Sequence, residues 1–267
     1  GVPGGGGAGA LAGHPCPHRQ RHHTPVKERA PLESLISTGL AQLDLPAYPA
    51  DAAAKLAKYG NLLMEQNQVM NLTAITQPFD VATLHMLDCA PLLNCGRLEH
   101  AKLIDVGTGA GFPGMVLKTL CPTLSLTLLD GLQKRLSWLE TVAEELELEG
   151  VTTLHARAEE AGQDPDLREQ FDFATARAVA DLGLLCEMCL PFVKVGGRFL
   201  AMKGPDCQEE LDRAEKAITV LGGQLKGCYD YRIPPTDITH RVVVVEKVAP
   251  CPAKYPRRWA KMQKTPL

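Results

Sequence analysis

From Leu103 onward the chain alternates short apolar runs with helix-like segments five times, then ends on two apolar runs with no helix between them. Runs that short and that apolar are what a parallel sheet covered by helices on both faces demands. The predicted strands span residues 103–106, 124–130, 152–156, 171–176, 198–202, 224–233 and 240–248. Helices are predicted over residues 113–120, 132–148, 182–193 and 207–221, with a short one near Ala158. Ile233-Pro-Pro235 forbids a helix between the last two strands, so these must pair antiparallel.

The segment before this alternation has a different period. Leu32, Leu35, Ile36 and Leu40 recur at helical spacing, as do Leu56, Tyr59, Leu62, Leu63, Val69 and Met70, and a third helical stretch runs over residues 79–93. "NLTAI", Asn71 to Ile75, is the loop between the second and third. Residues 1–30 are rich in Gly, His, Arg and Pro with no apolar period, and burial there cannot offset the entropy of ordering, so a disordered leader is expected. The expected organisation is therefore a leader over 1–30, a helical subdomain over 31–100, a central domain over 101–250 and a basic tail over 251–267.

Composition narrows the function classes. No run approaches the roughly 18 to 20 apolar residues of a membrane helix, so no membrane span is expected. Nine cysteines without a secretory signal pattern read as free thiols of a reducing, cytoplasmic setting. Cys186-Glu-Met-Cys189 lacks a second ligand pair, so no metal site is expected. Net charge is −3, but the tail carries +5 and residues 1–29 carry +3, leaving −11 for the middle. Attraction for a polyanion would have to be local.

The strongest chemical signal is "DVGTGAGFPG", Asp105 to Gly114, at the end of the first predicted strand. Glycines leading into a helix that opens with Pro113 bring bare backbone close to a ligand at a positive helix end. Gly109, Gly111 and Gly114 match the dinucleotide spacing G-x-G-x-x-G, so an NAD-dependent oxidoreductase is one reading. Asp105 favours the other, S-adenosylmethionine, because a carboxylate there opposes a pyrophosphate but suits an ammonium and a sulfonium. The helix-free final pair favours it too. Asp130, ending the second strand, suits ribose hydroxyls of either cofactor, or caps the next helix. The fold class is α/β: a class I methyltransferase-type, doubly wound, Rossmann-like seven-stranded sheet with an N-terminal helical subdomain.

Beyond the glycines, an ordered series of motifs runs through most of the chain: "NLTAI", "HMLDC", "LIDVGTGAGFPGMVL", "LLDGLQKRLSWLETV", "ARAEE", "TARAVADL", "GGRFLAMKG", "HRVVVVEK" and "KYPRRWAKMQKTPL". From about Asn71 to Leu267 the sequence resembles the bacterial methyltransferase family that modifies a guanine of small-subunit ribosomal RNA at its 7-position nitrogen, formerly called glucose-inhibited division protein B. The resemblance implies S-adenosyl-L-methionine as cofactor and 16S ribosomal RNA, or the small ribosomal subunit, as partner of a monomer. It implies cofactor contacts at Gly107, Phe112, Ala158, Glu159 and Arg177 beside Asp105, Gly109, Gly111 and Asp130. Gly131, Cys89 and Ala176 stand where the family pattern has Ser, each costing at most one hydroxyl hydrogen bond.

Arg177, after the fourth strand, is the leading candidate for orienting the guanine or the cofactor, with a salt bridge across the strand end as the alternative. Guanine N7 carries a free lone pair, so transfer needs alignment and no general base. His85 and Asp88 either cap the pocket or form a polar helix face, and Asn71 and Thr73 either cap a helix or line the pocket. Lys203 and Arg241 lie near strand ends and Arg257 and Arg258 in the tail, where Tyr255 and Trp259 could stack on bases; these cations are candidate RNA contacts.

Overall fold

The computed structural model describes residues 29–267, so the leader expected over 1–30 lies almost wholly outside them. Helices α1 (Arg29–Gln42) and α2 (Ala52–Gln66) come first, then α3 (Pro78–Asp80), which runs on as a π-helical segment, Val81–Leu87, and a 3₁₀ segment, Ala90–Asn94. The alternating region follows as β1 (Lys102–Val106), α4 (Gly114–Leu120), β2 (Ser125–Asp130), α5 (Gln133–Glu145), β3 (Val151–His155), α6 (Ala158–Ala161), β4 (Phe171–Ala176), α7 (Leu182–Cys189), β5 (Val193–Lys203), α8 (Gln208–Val220), β6 (Gly223–Arg232) and β7 (Thr239–Lys247). A last short helix, α9 (Trp259–Lys264), closes the tail.

The seven strands form one sheet in the order β3-β2-β1-β4-β5-β7-β6. β1 to β5 run parallel, and β7 lies antiparallel between β5 and β6. The strand order reverses between β1 and β4, and in such sheets the crevice outside the carboxyl ends at that point receives the ligand. That crevice is where the Gly-rich turn leaves β1.

Two predicted boundaries move. α2 stops at Gln66 because Asn67 turns the chain: its Oδ1 accepts from the amides of Leu72 and Thr73 and its Nδ2 donates to the Thr73 carbonyl, which fixes "NLTAI" as a tight loop and leaves Val69 exposed. The helix expected to reach residue 193 ends as a 3₁₀ turn at Leu190–Phe192, where Pro191 lacks the amide a helix needs, and β5 starts at Val193.

The sheet has a core on each face. One joins Leu32, Ile36, Leu56, Tyr59 and Met86 of the helical segment to α4, α5 and the strands, so that segment packs into the sheet's own core. The other joins α7 and α8 to Cys251 and Tyr255 of the tail. Arg168 fastens the tail by donating to the carbonyls of Gly162, Cys251, Pro252 and Tyr255. Arg257 adds a two-pronged pair to Glu187, with Nε to Oε2 at 3.0 Å and Nη2 to Oε1 at 2.8 Å, while its amide also donates to Oε2. Arg257 and Tyr255 therefore do not serve as the RNA contacts expected of them: one is paired to a buried acid and the other's ring is packed away from solvent.

Removing one partner of a buried pair strands the other charge, so Glu187→Ala should cost about 3–5 kcal/mol of unfolding free energy. Exposed Arg258 replaced by Ala should change it by less than about 0.5 kcal/mol. Chemical denaturation of both variants checks this; equal effects would deny Glu187–Arg257 its structural role.

Candidate active site

The turn after β1 contains two kinds of glycine. Gly107 and Gly109 have φ of 68° and 58°, in the left-handed region, and a Cβ added to either would meet nothing within 4 Å. Their bare faces look into open space. Gly111 shares the positive φ, at 103°, and is bare for packing as well, since a Cβ there would press on Leu139 and Met115; one at Gly114 would sit 2.8 Å from the Asp105 carboxylate.

Most of the turn's recorded N–H bonds point inward. Thr108 N–H donates to Leu129 O, Gly109 N–H to Asp130 Oδ2, Gly111 and Phe112 N–H to Thr108 O, and Gly114 N–H to Asp105 Oδ2. A pyrophosphate would need those donors turned outward. The expectation that bare backbone amides face the ligand is thus corrected for Thr108, Gly109, Gly111, Phe112 and Gly114, while Gly107 and Gly109 keep open space over their Cα atoms with Asp130 beside them.

Asp105 also moves from its expected role. It is fully buried, and it accepts from Thr108 Oγ1 at 2.7 Å, Gly114 N at 2.9 Å and Thr175 Oγ1 at 3.1 Å. Burial raises its pKa, and the hydrogen bonds and the Arg177 charge oppose that rise. With no exposed surface it cannot meet a ligand's ammonium; it braces the turn from behind. Asp130 takes the position beside the cradle, its Oδ1 accepting from Leu132 N at 2.9 Å and lying 3.5 Å from Arg135 Nη1. The capping and ligand readings of Asp130 are compatible, since a carboxylate has more lone pairs than these bonds use.

The wall of the crevice is an aromatic stack. The Phe112 ring lies parallel to His85, centroids 4.2 Å apart, and to Tyr59, 5.1 Å apart, while the Arg177 guanidinium carbon lies 4.9 Å from its centroid. Phe112 is 2% exposed, so its ring supports the site as a wedge. Tyr59 donates its hydroxyl to the Ala110 carbonyl inside the Gly-rich turn. Arg177 donates to Leu84 O at 3.2 Å and to His85 Nδ1 at 2.9 Å, and no acid pairs with it among the described residues, so the salt-bridge reading fails. A guanidinium is a donor only, so Nδ1 must accept and His85 is neutral with its proton on Nε2. Burial and the Arg177 charge push its pKa down to about 3.

Further along the same edge, Ala158 and Glu159 open α6, with Ala158 buried and Glu159 3.7 Å from Arg157. Buried Asp88 accepts from Tyr231 Oη at 2.6 Å and from His240 Nδ1 at 2.9 Å, tying the helical segment to β6 and β7. The Asp88 hydrogen bond raises the His240 pKa.

Residues 52–231 match the profile of the GidB family, rRNA small subunit methyltransferase G. Three proteins named Ribosomal RNA small subunit methyltransferase G are similar to the chain. One from Alkaliphilus oremlandii is 47% identical, covering 88% of this chain and 99% of the relative. Those from Alkaliphilus metalliredigens and Acetivibrio thermocellus are 49% and 46% identical, each over 80% of this chain and 90% and 88% of the relative. The chain belongs to the rRNA small subunit methyltransferase G family.

Within that family framework, two more of the cations expected to meet RNA are already engaged. Lys203 pairs with Glu210 at 2.7 Å and donates to Ala180 O, and Arg241 grips Asp230 through Nε and Nη2 at 2.6 and 3.0 Å. Each has a local acid beside it, Glu210 for Lys203 and the half-exposed Asp230 for Arg241. Arg258 is exposed, as are Lys254, Lys261 and Lys264. Cys186 and Cys189 are both sealed in the core, where burial pushes their thiols up. No helix of the described residues is long and apolar enough to cross a membrane.

Sequence reasoning treated Tyr59 only as an apolar helix position and gave Tyr231 and His240 no role. Tyr59 fits the helical period as well as a leucine would, so periodicity hides its hydroxyl.

The His85 shift has a sign that can be measured. Its folded pKa of about 3 lies below the ordinary 6.5, so the unfolded chain takes up a proton that the folded one refuses. The contribution is present above pH 6.5 and is lost as pH falls towards 3. His85→Phe, which keeps the ring stack, should make the acid-side decline between pH 6 and 4 shallower, by up to ~1.4 kcal/mol per pH unit for one proton. An unchanged slope would mean that His85 is not held neutral.

Proposed function

We propose that this chain transfers the methyl group of S-adenosylmethionine to the 7-position nitrogen of a guanine in 16S ribosomal RNA, within the small ribosomal subunit, in the cytoplasm. The observation that carries the cofactor half is the turn itself. Gly107 and Gly109 offer bare surface that any side chain would fill, and Gly109 N–H is already given to Asp130, which suits a cationic ligand and opposes a pyrophosphate. This disfavours the NAD reading on physical grounds. Family membership supports the acceptor half.

In this reading Gly107 and Gly109 accommodate the methionine and ribose, Asp130 takes ribose hydroxyls, and Ala158 with Glu159 flanks the adenine. When bound, S-adenosylmethionine supplies a methyl activated by a sulfonium. Phe112, pinned by Tyr59 and His85, keeps the crevice wall rigid and excludes water from it. Arg177 keeps N–H groups beyond the two that it spends on Leu84 and His85, and these orient the base. Guanine N7 presents its lone pair without losing a proton, so the neutral His85, both of its nitrogens engaged, is no obstacle to the reaction. The exposed cations of the tail, Lys254, Arg258, Lys261 and Lys264, attract RNA phosphates.

The direct test is to incubate the protein with methyl-labelled S-adenosylmethionine and small ribosomal subunits lacking native methylation, then to digest the RNA. Label at a single 7-methylguanosine is expected, and label in any other nucleoside would overturn the acceptor. Asp130→Ala should weaken cofactor binding about 10- to 150-fold, the worth of a hydrogen bond to a charged group, and an unchanged dissociation constant would remove Asp130 from the cradle.

A further inference from the structure

Hydrogen bonds starting at Arg177 run in one direction. Arg177 Nη2–H donates to His85 Nδ1 at 2.9 Å, which leaves the imidazole proton on Nε2, and Nε2 lies 2.9 Å from Thr73 Oγ1. His85 therefore donates to Thr73. The same hydroxyl oxygen accepts from the Ile75 amide at 3.0 Å. A hydroxyl has two lone pairs and one proton, and both lone pairs are now used. Thr73 can only donate, and among the described residues its proton has no recorded acceptor.

The loop is built to hold this hydroxyl. The Asn67 side chain bonds both the amide and the carbonyl of Thr73, and Thr73 is half-buried rather than free to rotate into solvent. His85, against which it rests, is stacked on Phe112 of the Gly-rich turn and bonded to Arg177 at the end of β4. Two donor-only groups thus flank one ring at the crevice. Burial keeps His85 unprotonated across the working pH range, so the direction of the chain does not reverse.

We propose that Thr73 reads the O6 atom of the acceptor guanine and so selects guanine over adenine, with His85, oriented by Arg177, as the positioning residue behind it; this rests on the guanine-N7 reading above. O6 is an acceptor beside N7, whereas adenine carries an amino donor at that position. Donors facing an amino group leave both sides unpaired, a mismatch that sites built to hydrogen-bond reject strongly. The N7 lone pair itself stays uncapped, as methyl transfer requires.

The test uses the full chain and small subunits whose target guanine is kept or replaced by 2-aminopurine, which retains N7 and lacks O6. Thr73→Val removes the hydroxyl at constant shape, and Thr73→Ser restores it. With guanine, Thr73→Val should lower kcat/KM about tenfold, the worth of one hydrogen bond, while cofactor affinity stays unchanged and Thr73→Ser recovers most of the loss; the melting temperature of Thr73→Val falls as well, because the Ile75 amide and His85 Nε2–H lose their acceptor, and that loss of stability is common to both substrates. With 2-aminopurine, wild type and Thr73→Val should be equally slow. A similar loss on both substrates, or no loss on guanine, would overturn the O6 role while leaving the function standing. Failure of the wild type to place label at guanine N7 would overturn both.

Discussion

A carboxylate with no exposed surface stands near the end of β1, and the shape of the crevice follows from its partners. Asp105 accepts from Thr108 and Gly114 within the turn that it begins and from Thr175 on the neighbouring strand β4. Desolvation works against such a group, and three donors in fixed positions offset it. Because those donors come from both sides of the switch between β1 and β4, the carboxylate joins the two strands whose divergence opens the ligand crevice. Gly114 must be glycine for the same reason, since a Cβ there would press on the carboxylate.

The helical segment contributes through aromatic contact. Tyr59 of α2 and His85 of the π-helical segment stack on Phe112, and Arg177 lies over the same ring. A π-helical turn widens the helix by one residue, and such turns often occur at functional sites. Here it holds His85, while Asp88, just past its end, reaches Tyr231 and His240 on the opposite strands. Both edges of the crevice are consequently tied to the segment that precedes the sheet, and loosening either tie would be felt at Arg177.

Much of this architecture was legible in the sequence, for a definite reason. Buried parallel strands leave compact apolar runs between helices, so the seven strands could be located to within a few residues, except for β5. Its first half, Val193 to Gly197, has only two valines, broken by Lys194 and followed by the Gly196–Gly197 pair, which reads as a turn and not as a strand. The Gly-rich turn was legible too, but not the direction of its amides, which depends on where Asp130 and Asp105 sit in space. Pairings were least legible because their partners are remote in sequence. Glu187 lies 70 residues from Arg257, and Asp88 lies 152 residues from His240. A run of tail cations looks the same whether it faces phosphate or a buried acid.

That distinction alters the electrostatics of substrate capture. With −11 between residues 30 and 250, the body of the molecule repels a polyanion, and screening at physiological salt confines any attraction to about 8 Å. Of the tail's five cations Arg257 is committed to Glu187, and at the crevice edge Lys203 and Arg241 are neutralised by Glu210 and Asp230. Arg177 at the crevice is held by uncharged partners and is therefore unneutralised. On the proposed function, an RNA that approaches a molecule of this charge meets local attraction, with the exposed tail cations and Arg177 among its sources, and not a uniformly basic body.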